Sequence, residues 1–240
     1  MSWTEIFKRK LRDVQRDERQ PELSAKLRDA LFGDTPLPLL LASLTVDALL
    51  LEPWSTFFEA EKARTSGESA KAIASLQAVL AMPNLDSRMY LEAWQALRNL
   101  GVNPPPDQAK DLLGVVVEVG LPGGLDLVAA WPDHCARYWN QSGAGVVWER
   151  AQGEVNSKID ELLRTGGEVL KLIGPWNGER PAPPLNGFAR INFLTPSGLH
   201  FGFGRQAQLM KDPMAAPVFN AAFQLMQALM QANSAAASTG

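Results

Sequence analysis

Between residues 113 and 149 the chain alternates apolar and polar side chains in short runs, and the breaks between those runs are too brief for anything but reversal. A parallel crossover needs a dozen or more residues, so connections of a few residues force antiparallel neighbours. In the run Leu113 to Gly120, Leu113, Val115, Val117 and Val119 share one face and Glu118 takes the other. Such a period of two predicts a half-buried strand. Pro122-Gly123-Gly124 ends it, and Leu125 to Trp131 follows, with Leu125, Leu127, Ala129 and Trp131 opposite Asp126. Pro132-Asp133 supplies the next turn. His134 to Asn140 and Val146 to Glu149 read as two more strands across Ser142 to Gly145.

Farther along, Val155, Ile159, Leu162, Leu163, Val169, Leu170 and Ile173 fall near helical spacing and predict a helix over 154–173. Gly166-Gly167 predicts a break or bend there, since each mid-helix glycine costs about 1 kcal/mol relative to alanine. A proline-rich connector spans Gly174 to Gly187. Phe188 to Thr195 and Leu199 to Arg205 then form a hairpin across Thr195-Pro196-Ser197-Gly198. A last helix is expected from Ala215 to Gln231, and 232–240 is small and polar enough to be a disordered tail.

The front of the chain reads as helical. Trp3, Ile6, Phe7, Leu11 and Val14 define an amphipathic helix that Gln20-Pro21 ends. Pro38 to Leu51 is a second helical stretch. Ser69 to Met82 and Ser87 to Leu100 form a helical hairpin, with Gly101 at a C-terminal cap. One copy of a hairpin does not make a solenoid, which needs about three repeats, so the expected arrangement is a helical layer on a sheet. The fold class is therefore α+β: a helical region over 1–107, and an antiparallel sheet of about five to six strands flanked by two helices over 108–231. The order of strands, helix, hairpin and terminal helix resembles that of profilin-like and roadblock-like modules. The resemblance is one of element order alone, without a motif, and carries over no site residue.

Charge narrows the partners. The net charge of −3 leaves no polyanion-binding bias, and the only basic concentration, Lys8-Arg9-Lys10 with Arg12 and Arg16, is diluted by Asp13, Asp17 and Glu18. Weak nucleic-acid binding through this helix ranks last among the expected functions. Met1-Ser-Trp-Thr-Glu5 lacks a signal-peptide pattern, and the apolar stretch at 37–51 is too short to span a bilayer and contains Asp47. With one cysteine and hence no internal disulfide, the expected location is cytoplasmic, away from the membrane.

Candidate chemistry is sparse. His134, His200 and Cys135 match no metal-binding spacing, and neither Gly143-Ala144-Gly145 nor Gly202-Phe203-Gly204 belongs to a phosphate loop, so no metal or cofactor is assigned. His134 and Cys135 are adjacent on a strand and point to opposite faces, which argues against a nucleophile and its base. No catalytic residue is assigned. One polar set stands out: if the strands join in the phases given above, Glu118, Asp126, Arg190, Asn192 and His200 lie together opposite the most apolar face, beside Gly202 and Gly204. That face is either a site for a small polar ligand or a wetted sheet surface with cross-strand charge pairs. Trp131, Trp139, Trp148 and Trp176 cluster in the sheet half, mostly as core. Met210, Met214, Met226 and Met230 mark the last helix as core or as a repacking surface for a partner. The leading expectation is a non-catalytic cytoplasmic protein-interaction or scaffold protein, with self-association through a sheet edge or the last helix. The alternative is a ligand-binding protein or enzyme that uses the polar sheet face.

Overall fold

The computed structural model describes residues 28–29, 31–149 and 153–238. The protein is α+β, with helices in its N-terminal region, a six-stranded antiparallel sheet and flanking helices. The first amphipathic helix and the basic cluster at Lys8–Lys10 lie outside the described residues.

After a helical segment carrying Arg28, Asp29, Leu31 and Phe32 come α1 (Leu37–Ala42), α2 (Val46–Leu49), α3 (Trp54–Thr65), α4 (Ser69–Leu80) and α5 (Ser87–Asn99). The α4–α5 hairpin matches the sequence expectation. Helix α5 starts on Asp86, whose side chain accepts from the Arg88 N–H. It ends in a Schellman motif: Gly101, at φ +81°, donates to the Arg98 carbonyl and Val102 to that of Leu97. Helix α3 escapes the sequence reading because its buried stripe is Phe57, Ala60 and Ala63, mostly small side chains with little apolar contrast.

The strands are β1 (Gly114–Leu121), β2 (Gly124–Ala130), β3 (Cys135–Trp139), β4 (Gly145–Glu149), β5 (Phe188–Thr195) and β6 (Gly198–Arg205), in the order β4-β3-β2-β1-β5-β6. Helix α6 (Glu154–Leu170) precedes β5; after β6 come the short α7 (Gln206–Leu209) and the long α8 (Ala215–Ser238). Two sequence expectations need correction here. Helix α6 runs through Gly166-Gly167 unbroken, because a Cβ on Gly166 would stand 2.8 Å from Val115 Cγ2; the glycine lets the helix lie close on the sheet. Helix α8 continues past Gln231 to Ser238, as the alanine-rich sequence there favours, where a disordered tail was expected.

Both sheet faces are covered. Val115, Val117, Val119, Val128, Ile191 and Phe193 pack against α6 and α8, whose inner residues include Ile159, Leu162, Phe219, Leu225 and Met226. On the other face Val116, Leu125, Leu127, Ala129, Trp131 and Leu194 meet Leu31, Phe32 and Leu91 of the helical half. A third apolar cluster, centred on Phe57, Leu76, Trp94 and Leu97, belongs to the helices alone. Burial on both sides explains why β1 is closed to solvent through nearly its whole length. Among the described residues no helix is long and apolar enough to cross a membrane.

Candidate functional site

Strand register decides which polar residues meet. The turn at Pro122-Gly123 pairs Leu121 with Gly124 and hence Val119 with Asp126; the turn at Pro196-Ser197 pairs Thr195 with Gly198 and hence Phe193 with His200. Asp126 and His200 therefore share the face of Val119 and Phe193, toward α6 and α8. Glu118, Arg190 and Asn192 share the opposite face, toward the helical half. The expectation that all five line one face is corrected by these pairings, and the wetted surface does not exist: all five are buried.

Asp126 and His200 are separately placed. Asp126 accepts from the Tyr138 hydroxyl at 3.2 Å and from the Gln141 N–H at 2.8 Å, which ties down the β3–β4 turn. Burial, reinforced by Asp126, pushes the Tyr138 phenol upward. His200 is fully buried on the edge strand, and burial pushes its imidazole below the usual range.

Glu118, Arg190 and Asn192 do converge. Glu118 Oε1 accepts from Arg28 Nε at 2.6 Å; its Oε2 takes Asn192 Nδ2 at 3.0 Å and Arg190 Nη1 at 3.3 Å. Both guanidiniums then reach the connector: Arg28 Nη2 donates to the Pro181 carbonyl at 2.7 Å, and Arg190 Nη1 to that of Ala182 at 2.9 Å. One buried carboxylate thus fastens the helical half and the connector to the sheet. Gly120 completes the closure, since a Cβ there would lie 2.2 Å from the Leu185 carbonyl oxygen; only glycine lets the connector backbone cross β1. Arg28, ninety residues from Glu118, has no motif to announce it.

The His134–Cys135 pair also separates. His134 sits in the β2–β3 turn at φ +60°, just outside the strand expected to contain it, and its Nε2 lies 3.0 Å from Asp160 Oδ1 on α6. Cys135 is buried beneath the start of α5, its thiol pushed up to about 11 by burial and by Asp133. Asp86, Asp133 and Cys135 bring one potential ligand atom each within 4.8 Å of one another. Asp133 already accepts from the Ser87 and Cys135 N–H groups, and Asp86 from Arg88, so these carboxylates cap α5 and hold it on the sheet.

Beside the closed triad lies an open space. A cleft of 870 Å³ separates α5 and the Phe32–Pro36 segment from the β5–β6 turn and the start of the connector. Its walls carry Arg28, Asp34, Arg98, Trp176, Arg180 and Ser197, among others. Arg180 bridges Asp29 and Asp34, the latter through Nε at 2.9 Å, and stands over the Phe32 ring. Trp176 fixes the opposite rim: its N–H donates to the Leu199 carbonyl, its indole donates to Glu179 O at 2.9 Å, and its ring packs on Phe201. Arg98, in the last turn of α5, donates to the Pro196 carbonyl and forms no ion pair among the described residues. Burial lowers its pKa, with Asp34 opposing.

Sequence reasoning missed this cleft. None of Asp34, Arg98 and Arg180 belongs to a motif, and only the docking of the helical half brings them together. Compared with protein-family models, curated proteins and solved structures, the chain matches none.

Proposed function

We propose that the protein is a non-catalytic binding module that holds a small polar ligand in the cleft between its helical region, 1–107, and its sheet region, 108–231. One observation carries this reading: Arg98, a partly buried guanidinium without a carboxylate among the described residues, lines an 870 Å³ cleft at the junction of the two halves. Ligand sites are commonly clefts of roughly 300–1,000 Å³ with a few convergent polar groups, and junctions between structural units are favoured places for them. The polar sheet residues support the cleft from behind: Glu118 holds Arg28, which is part of its wall. A cytoplasmic setting suits the lone buried cysteine.

The test is a thermal-shift panel of sugars, amino acids, organic acids and nucleotides, run on the native chain and on Asn103→Trp, which places an indole in the cleft from an exposed position. At least one class raises the Tm of the native chain and fails to raise that of the variant. Absence of any shift, or a shift that survives in the variant, overturns the proposal.

A protein-interaction role is supported by a separate observation. Leu39, Val46, Leu50 and Leu51, on α1, α2 and the turn after it, are 65–75% exposed, more apolar surface than isolated side chains need leave in water. Val46 and Leu50 are one helical turn apart. Val46→Asp with Leu50→Asp abolishes any concentration-dependent association seen by sedimentation; association that persists in the double variant places the contact elsewhere.

A further inference from the structure

The sheet ends in two edge strands, β4 and β6, and β6 keeps free backbone groups in its middle. The turn at Pro196-Ser197 pairs Thr195 with Gly198, and in step with it Phe193 with His200 and Ile191 with Gly202, so the N–H and C=O groups of His200, Gly202 and Gly204 face β5. Those of Leu199, Phe201 and Phe203 face outward. The connector takes the first of these, since the Trp176 N–H donates to the Leu199 carbonyl. At the far end the chain leaves the sheet after Arg205 and enters α7. Between these limits the N–H and C=O groups of Phe201 and Phe203 have no hydrogen-bond partner among the described residues. Edge strands are commonly blunted by charge or proline. Strand β4 carries Glu149, ion-paired with Arg137, whereas β6 has no proline and no exposed charge before Arg205.

We infer that two copies of the chain join through β6, antiparallel about a two-fold axis at Gly202, so that two six-stranded sheets become one continuous sheet. This contact is independent of the cleft.

The free groups select their occupant. Donors and acceptors alternating along a strand edge are met by an extended backbone. The open stretch is short and closed at both ends, by the connector and by α7, so a long foreign strand overruns it. A second β6 is open over the same residues. With Gly202 opposite the partner's Gly202, the N–H and C=O of Phe201 bond to the partner's Phe203, and those of Phe203 to the partner's Phe201. No free group is left over. Any other register sends one of them to Leu199, whose carbonyl is already taken, or to Arg205 at the mouth of α7.

Side chains favour the same pairing. Phe201 and Phe203 lie on the Glu118 face, with the Arg190 guanidinium 5.3 and 5.2 Å from their ring centroids and Phe188 stacked on Phe203 at 5.5 Å. Phe203 is nonetheless 49% exposed, as are Trp176, which packs on Phe201, at 48% and Leu185, near Phe188, at 77%. The axis sets each Phe203 beside the partner's Phe201, an aromatic pair between rings already held in place. On the opposite face a Cβ at Gly202 would meet nothing within 4 Å, so no side chain obstructs the axis. Arg205 falls opposite the partner's Leu199, and like charges do not face each other.

Sedimentation of the native chain from about 10 to 500 µM tests this, in the range where small interfaces associate. The mass should double from 26.2 kDa as concentration rises. Phe203→Pro removes an outward N–H and a ring while leaving the β5–β6 ladder bonds in place, and it should stay at monomer mass. Gly202→Cys tests the register. Cα atoms of a non-hydrogen-bonded antiparallel pair stand about 4.5 Å apart, within disulfide reach, so oxidised glutathione should link two chains of this variant. The native chain, whose Cys135 is buried, should stay unlinked. Far-UV circular dichroism establishes that the variants are folded, and the cross-link stands without Phe203→Pro. One further variant separates this contact from the α1–α2 surface: an edge dimer persists in Val46→Asp with Leu50→Asp, the outcome that places the contact elsewhere. A native chain monomeric at about 500 µM, a dimer that survives in folded Phe203→Pro, one that Gly202→Cys does not link, or one lost in the Val46, Leu50 double variant overturns the inference. None of these outcomes bears on ligand binding in the cleft.

Discussion

Glu92 should make the protein less stable as pH rises through neutrality, and its amide should remove that penalty. It sits mid-helix in α5, 7% exposed, with Oε1 accepting from the Thr35 N–H at 3.2 Å and no ion-pair partner among the described residues. Burial, with Asp34 and Asp29 adding to it, pushes its carboxyl up to about 8 from an ordinary 4.5. The folded state therefore holds the proton more tightly than the unfolded chain. Where a folded pKa lies above the unfolded one for an acid, stability is greatest below the unfolded pKa and declines as pH rises toward the folded pKa. At pH 7 the chain has crossed about 2.5 pKa units of that window, and at 1.36 kcal/mol per unit the loss is about 3 kcal/mol. Glu92→Gln keeps an oxygen for the Thr35 N–H and cannot ionise. In urea unfolding at pH 5, 6, 7 and 8, the variant should differ little from the native chain at pH 5 and gain about 3 kcal/mol on it by pH 7. A difference that is constant with pH, or a variant less stable at pH 8, would refute the assignment of a neutral buried acid.

Other perturbations probe the parts that hold the cleft in shape. Glu118→Gln leaves Arg28 and Arg190 buried without their carboxylate and should cost about 3–5 kcal/mol in urea unfolding; a loss under about 1 kcal/mol would mean that the triad fastens nothing. Gly120→Ala drives a methyl into the Pro184 and Leu185 carbonyl oxygens, at 2.4 and 2.2 Å, so limited proteolysis should cut the connector faster, and an unchanged rate would count against the crossing. Gly166→Ala should destabilise by about 1–3 kcal/mol despite the better helix propensity, through the contact with Val115; a more stable variant would contradict the close packing of α6. Cys135, with its thiol raised to about 11, should resist iodoacetamide at pH 8 until the chain is unfolded; rapid alkylation of native protein would sink that expectation.

The sequence displays local structure well and long-range pairing poorly, and the polar face shows where the boundary runs. The strands from Leu113 to Glu149 and the hairpin at 188–205 are visible in their two-residue period because side chains on a strand alternate strictly. Assigning Asp126 and His200 to the face of Glu118 fails for a reason also present in the sequence. A turn fixes which residues oppose each other, so the Pro122-Gly123 and Pro196-Ser197 loops already place Asp126 opposite Val119 and His200 opposite Phe193. Matching apolar runs to one another presumes one dry face, whereas both faces are covered. No such local signal exists for the β1–β5 pairing, which joins Glu118 to Arg190 across seventy-two residues, or for the arrival of Arg28 and Arg98. The cleft is a product of docking, and docking has no period.

The buried cluster around Glu118 also bears on the order in which the chain can be assembled. Its charged members come from residues 28, 118 and 190, and the carbonyls that finish it from 181 and 182. During synthesis Arg28 emerges long before its hydrogen-bond partners Glu118 and Pro181, and the α4–α5 hairpin can form while that guanidinium is still in water. Its hydrogen bonds are complete only once β1 and the connector have followed. Contacts of such sequence separation pay their loop-closure entropy first and are rewarded last. Seating the helical half on the sheet is thus reserved for a nearly complete chain, and the cleft that depends on that seating is among the last features to appear.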